Sequence, residues 1–213
     1  MLKRYLNRKD AALKLIPYLD KYKNDNCIVL AVPNGGVPLA CAIAKNFHFP
    51  LDLLMIKKIG HPHNSEFAIG AVSLEDHVVD ERINISKAYI DQSVYKIRKS
   101  LEEKYKRFMQ EEPAHTLTDK VLIIVDDGMA TGNTIFSSIQ MLKRKKPKKI
   151  IIAVPVSPSE TVHRLKKFVD DFICPFMPDN FYGVGFHYSD FSSVSDEEVI
   201  KQIRELKNEE VFV

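Results

Sequence analysis

The sequence predicts an α/β fold with a doubly wound, mostly parallel central sheet, a small irregular hood and a long helix insertion. Three observations carry that expectation. Continuous aliphatic runs recur at residues 27–32, 51–56, 121–125 and 150–156, and strands without polar alternation suit a parallel sheet covered on both faces. Segments of helical periodicity lie between several of these runs, where a two-residue hairpin turn would otherwise stand. One long charged stretch, residues 86–112, interrupts the alternation with a helix of its own.

The elements follow in order. An amphipathic segment at residues 10–22 precedes the first strand, 27–32. Pro33-Asn34-Gly35-Gly36 breaks that strand, and 38–47 reads as a helix with Pro38 at its first position, where a missing N–H is harmless. After the strand at 51–56, residues 59–79 carry His61-Pro62-His63-Asn64 and read as a flexible loop closed by a short hairpin, a mobile lid. His61 and His63 have no further ligands clustered near them in sequence, so a metal site is not expected there. In 86–112 the apolar positions Ile90, Val94, Ile97, Leu101, Tyr105 and Phe108 recur at helical spacing, a stripe for packing on the core or on a second subunit, and a homodimer is one assembly open to it. A strand at 121–125, a helix at 134–145 and a strand at 150–156 complete a core of about 25–175 within one domain, 1–213. The remainder, 176–213, is irregular until Ser195-x-x-Glu198, a capping box, opens the final helix.

Composition excludes several classes. With 213 residues and 45% hydrophobic content the chain can bury a core by itself. No apolar run approaches the roughly 20 residues of a membrane span, and Met1-Leu2-Lys3-Arg4 opens no signal pattern, so a cytoplasmic protein without a membrane partner is expected. Cys27, Cys41 and Cys174 lack metal-ligand spacing and read as reduced core residues. The net charge of +3 is small. The dense run Lys143-Arg144-Lys145-Lys146 falls at a helix end, where cations complement the dipole, and no aromatic residues interleave it; nucleic acid is not an expected partner.

The chemistry concentrates in Asp126-Asp127-Gly128-Met129-Ala130-Thr131-Gly132-Asn133-Thr134. A buried strand ends in two carboxylates, turns through small residues and enters a helix led by hydroxyl side chains. Free N–H groups and the positive dipole end there form an anion site, so Ala130, Thr131, Gly132, Asn133 and Thr134 would cradle a phosphate monoester. The carboxylates need different partners, because like charges at ~4 Å repel by about 4 kcal/mol near a protein surface. The cis hydroxyls of a ribose satisfy them, with Asp126 and Asp127 also open to Mg²⁺. The plainer alternative is a capped turn using Asp126, Asp127 and Thr131. No P-loop is present, and Gly183-Val-Gly185 lacks the third glycine of a dinucleotide fingerprint.

This loop resembles the signature of the type I phosphoribosyltransferases: an apolar strand, two acidic residues and an Ala/Asp-Thr-Gly-x-Thr turn. Val32-Pro33-Asn34-Gly35-Gly36-Val37-Pro38 is similar to their pyrophosphate loop, and Lys57-Lys58-Ile59-Gly60 through Ala68-Ile69-Gly70-Ala71-Val72 to their flexible-loop region. Residues 182–191 with Ser195-Asp196-Glu197-Glu198 resemble an uncharacterised subgroup. The resemblance implies phosphoribosyl pyrophosphate (PRPP) as donor, Mg²⁺ as cofactor and a small nitrogenous acceptor that displaces pyrophosphate from C1. It implies catalytic roles for Asp126, Asp127 and Lys58, and pyrophosphate binding by Asn34, Gly35, Gly36 and Lys57. Members acting on 6-oxopurines carry an aspartate where Ala130 stands, so the acceptor is expected to be another base or an amine. Phe181, Tyr182, Tyr188 and Asp190 are the expected acceptor pocket, with Phe186 a further stacking face. A non-catalytic sensor of PRPP or a nucleotide is the alternative on the same fold.

Overall fold

The chain runs α1 (Arg8–Leu19), β1 (Cys27–Ala31), α2 (Val37–Phe47), β2 (Leu51–Leu53), β3 (Ile56–His61), β4 (Asn64–Ser73), β5 (His77–Val79) and α3 (Lys87–Met109). It continues through β6 (Val121–Val125), α4 (Asn133–Arg144), β7 (Lys149–Ala153), α5 (Ser159–Leu165), β8 (Asp171–Ile173) and α6 (Asp196–Glu210). This computed structural model describes residues 4–110 and 112–210.

The aliphatic runs form strands because both faces of the main sheet are covered. In β6, Val121, Ile123 and Val125 belong to one apolar layer with residues of α1, α2 and α6. Leu122 and Ile124 belong to the other, with α4 and α5. No position along the strand meets water, so the period-two signal of a half-exposed strand disappears. The five strands lie in the order β2-β1-β6-β7-β8, all parallel, as the doubly wound reading requires.

Two expected strands are shorter in the structure. The run 51–56 is divided: β2 ends at Leu53, Met55 N–H donates to the Leu53 carbonyl (3.1 Å), and the chain leaves the main sheet to begin β3 at Ile56. The run 150–156 gives only β7, because Pro155 has no N–H to continue the ladder, and Val156 makes an isolated bridge to Phe176. Helix α2 begins at Val37, whose N–H donates to the Asn34 carbonyl (3.1 Å), so Pro38 is its second residue.

Residues 59–79 are more regular than a loop closed by a short hairpin. They complete a three-stranded antiparallel sheet, β3-β4-β5, with register shifts around Gly60. Its inner face brings Ile59, Ile69 and Val72 against Val94 of α3. The α3 stripe is filled within the chain: Val94, Leu101, Tyr105 and Phe108 are buried, and Tyr105 donates to Asp52 Oδ1 (2.8 Å). Among the described residues no helix is long and apolar enough to cross a membrane.

Burial pushes the thiols of Cys27 and Cys174 up to about 11 and that of Cys41 up to about 12. All three stay protonated at pH 8, and the thiolate is the nucleophile. Ellman's reagent at pH 8 is therefore expected to label native protein slowly and denatured protein at all three cysteines. Rapid labelling before unfolding would contradict this packing.

Candidate functional site

β1 and β6 are neighbours, yet the chain leaves them in opposite directions, through α2 to β2 and through α4 to β7. Between such strands the connecting loops diverge and open a crevice at the carboxyl ends. Here the two loops are held against each other. Val32 N–H donates to the Val125 carbonyl (2.9 Å), extending the β1–β6 ladder to its last residue. A Cβ on Gly35 would lie 2.2 Å from Asp127 Oδ2, and one on Gly36 2.5 Å from the Val125 carbonyl oxygen. The loop after β1 can lie on the loop after β6 because it presents glycine at both points.

One end of the crevice is the start of α4. Gly132 precedes the helix with φ of 64°, a left-handed conformation suited to glycine. Phe136 N–H makes the first helical bond, to the Gly132 carbonyl (2.8 Å), which leaves the preceding N–H groups of the turn for a ligand. Thr131, Asn133 and Thr134 are exposed around them. α5 braces the loop from behind: Thr161 Oγ1 donates to the Ala130 carbonyl (2.7 Å), and Arg164 donates to the Thr131 carbonyl and to Asn133 Oδ1 (3.3 Å).

The two carboxylates are unlike each other. Asp126 is half-buried, and its Oδ1 accepts from the Asp127 N–H (2.8 Å). Asp127 is buried, and its Oδ2 accepts from Nε and Nη2 of Arg8, both at 2.8 Å. Burial and then the adjacent Asp127 charge push the Asp126 carboxyl well above the carboxylate range. Burial also pushes Asp127 up, against the opposing pull of the Arg8 guanidinium. Sequence reading missed Arg8, which lies 119 positions away and carries no motif.

The loop after β1 departs from the expectation in part. Gly36 N–H is committed to the Val32 carbonyl (2.9 Å), so the free amides there are reduced to Asn34 and Gly35. The Asn34 side chain donates to Asp196 Oδ1 (2.8 Å) and to the Val194 carbonyl (3.0 Å), and accepts from Lys104 Nζ (3.2 Å). Lys57 and Lys58 are exposed on β3, Lys58 paired with Glu66 (3.0 Å); neither makes a hydrogen bond or ion pair to the two loops among the described residues. Among the described residues, the cations that do reach these loops are Arg8, Lys104 and Arg164.

The four residues expected to line an acceptor pocket are not gathered. Tyr188 is 2% exposed, packed between Tyr5 and Phe191, and its hydroxyl donates to the Asp127 carbonyl (2.6 Å). Its ring lies in the core beneath the site and offers no stacking face. Asp190 sits on an exposed turn, its Oδ1 accepting from the Ser192 N–H (3.0 Å). Phe181 is half-buried and stacked on His187, whereas Tyr182 and Phe186 form an exposed pair with centroids 5.4 Å apart. A cavity of about 320 Å³ lies elsewhere, between Leu54, Met55, Leu117 and Met141. Among the described residues no group of three or more His, Cys, Asp or Glu side chains could hold a metal ion.

The chain matches the phosphoribosyl transferase domain over residues 3–190. Two Mycobacterium tuberculosis proteins, provisionally named phosphoribosyl transferases, are each 33% identical to it over 205 residues, 93% of this chain and 46% of theirs. The chain thus spans about half the length of these curated relatives. The crystal structure of TT1426 from Thermus thermophilus superposes with a TM-score of 0.85 at 29% identity, covering 95% of this chain and 99% of that one. A switch-point crevice between the loops after β1 and β6, a domain match over most of the length and a shared fold agree with one another, and the chain belongs to the phosphoribosyl transferase domain family.

Proposed function

We propose that the protein transfers the 5-phosphoribosyl group of PRPP to a nitrogen acceptor with release of pyrophosphate. The observation that supports this best is the adjacency of a helix start with free N–H groups and a half-buried carboxylate, both at the end of β6. A phosphate monoester at Thr131 to Thr134 would leave the sugar diol beside Asp126, whose carboxyl oxygens can accept from hydroxyl donors. The pyrophosphate would then face the amides of Asn34 and Gly35. In the reaction the bond from C1 to the pyrophosphate oxygen breaks, the bond from C1 to nitrogen forms, and the acceptor nitrogen loses a proton. Holding phosphate, diol and leaving group in register is the catalytic contribution these residues can make.

Mg²⁺ would enter this site as a ligand-borne ion. Asp127 Oδ2 is taken by Arg8, so Asp126 is the carboxylate best placed to meet a cation whose other oxygens come from the donor. Such an ion would neutralise pyrophosphate charge. Ala130 presents a methyl group where a proton acceptor would be needed, which favours an acceptor other than the usual 6-oxopurines.

Asp126→Asn is expected to weaken PRPP binding by roughly 10- to 100-fold, the loss of a hydrogen bond to a charged group. The fold should persist, because the same oxygen can still accept from the Asp127 N–H. Calorimetry with Mg²⁺ present measures it, and unchanged affinity would remove Asp126 from the donor site. Pyrophosphate release, assayed over a panel of bases and amines, decides turnover; tight PRPP binding with no release for any acceptor would make the protein a sensor.

A further inference from the structure

Arg8 is placed by several independent contacts. Asn7 caps α1, its Oδ1 accepting from the Asp10 N–H (3.0 Å), while Asp10 Oδ2 accepts from the Leu6 N–H (3.0 Å). That reciprocal pair fixes the entry of the helix and therefore the Cα of Arg8, its first residue. Tyr5, just before, is buried and bridged to Tyr188, with its N–H donating to the His187 carbonyl (3.0 Å). From this anchored start the guanidinium spreads in three directions. Nε and Nη2 converge on Asp127 Oδ2, Nη1 donates to the Ser192 carbonyl (2.6 Å), and the fork lies 4.1 Å from the Phe191 ring centroid.

We propose that Arg8 is a positioning residue of the donor site: it fixes the carboxylate of Asp127 so that its other oxygen, together with Asp126, can meet the two hydroxyls of a ribose. The inference rests on the donor reading above and adds to it the residue that makes an adjacent carboxylate pair workable. Side by side, the two carboxylates repel and are pushed towards the protonated form, a poorer acceptor, and at Asp127 the Arg8 guanidinium opposes that push. Arg8 balances the Asp127 charge and engages only Oδ2 of its two oxygens. Because Arg8 also grips Ser192 and Phe191, it links the end of β6 to the segment that leads into α6. Lys57 and Lys58 do not contact Asp127 and cannot replace it. A structural ion pair alone would stabilise the fold without setting which sugars bind, and the test separates the two.

The experiment measures binding of ribose 5-phosphate and of its 2-deoxy and 3-deoxy counterparts to wild-type protein, R8A and R8K, each at a temperature where its melting curve shows it folded. Wild type is expected to prefer the full diol by at least tenfold over one of the deoxy sugars. R8A should lose that preference while retaining the weaker, phosphate-driven affinity common to all three ligands. R8K should keep part of it, since lysine supplies the charge without the two-pronged fork. Should R8A fail to fold, R8K alone decides, through a reduced preference. Preference equal to wild type in the folded variants would overturn the inference and leave the donor reading intact. Wild-type protein that binds none of the three sugars would overturn the donor reading, and the inference with it.

Discussion

Asp127→Ala is expected to lower the stability of the fold by about 3–5 kcal/mol, the usual consequence of removing one partner of a buried ion pair. The Arg8 and Asp127 side chains are each 12% exposed, so the guanidinium left behind could not be hydrated without opening the site. At roughly 2–4 °C per kcal/mol for a domain of this size, the melting temperature should fall by about 10 °C. The double variant R8A/D127A should recover part of the loss, because it removes the stranded charge along with its partner. A melting curve for Asp127→Ala that overlays the wild-type one would show that the pair contributes nothing to stability.

The second large effect is expected at Gly36, where the obstacle is backbone. A Cβ there would stand 2.5 Å from the Val125 carbonyl oxygen, 2.7 Å from that of Val32 and 3.0 Å from Asp126 Cα. None of these atoms can rotate aside, unlike the end of a flexible side chain. Gly36 has φ of −73°, which alanine adopts freely, so Gly36→Ala adds a steric clash without native backbone strain. Overpacking of this kind costs about 3 kcal/mol at the upper end of its usual range. PRPP affinity should fall with it, since the clash pushes apart the two loops that form the crevice. Urea denaturation of Gly36→Ala, paired with calorimetry, measures both. Loss of stability without loss of affinity would place the pyrophosphate away from the loop after β1.

Near-continuous aliphatic runs became parallel strands because both faces of the sheet are covered, and strand burial is a property each run carries in itself. The sequence Asp126 to Thr134 likewise became a strand end, a turn and a helix start, since glycine at the left-handed position and the threonines on either side of it act within a few bonds. Where reading failed, a distant partner was responsible. Tyr188 looked like a stacking face but is closed in by Tyr5 and bonded to Asp127. Lys58 pairs with Glu66 and Lys57 is exposed, while Lys104 of the inserted helix, which no motif marks, reaches Asn34. The segment 59–79 looked like a loop closed by a short hairpin because its His, Pro and Asn residues mark a turn, and only the pairing of β4 with both β3 and β5 made it a sheet.

By itself the sequence determined the parallel sheet and the turn from Asp126 to Thr134 that joins a strand end to a helix start. Tertiary structure alone decided that Asp126 and Asp127 differ, that Gly36 has no amide to spare and that Arg8 completes the site. The division follows from range. Backbone conformation and burial of a run are set by neighbours in the chain, whereas the charge and direction of a side chain are set by whatever folding brings to it, here from 119 positions away.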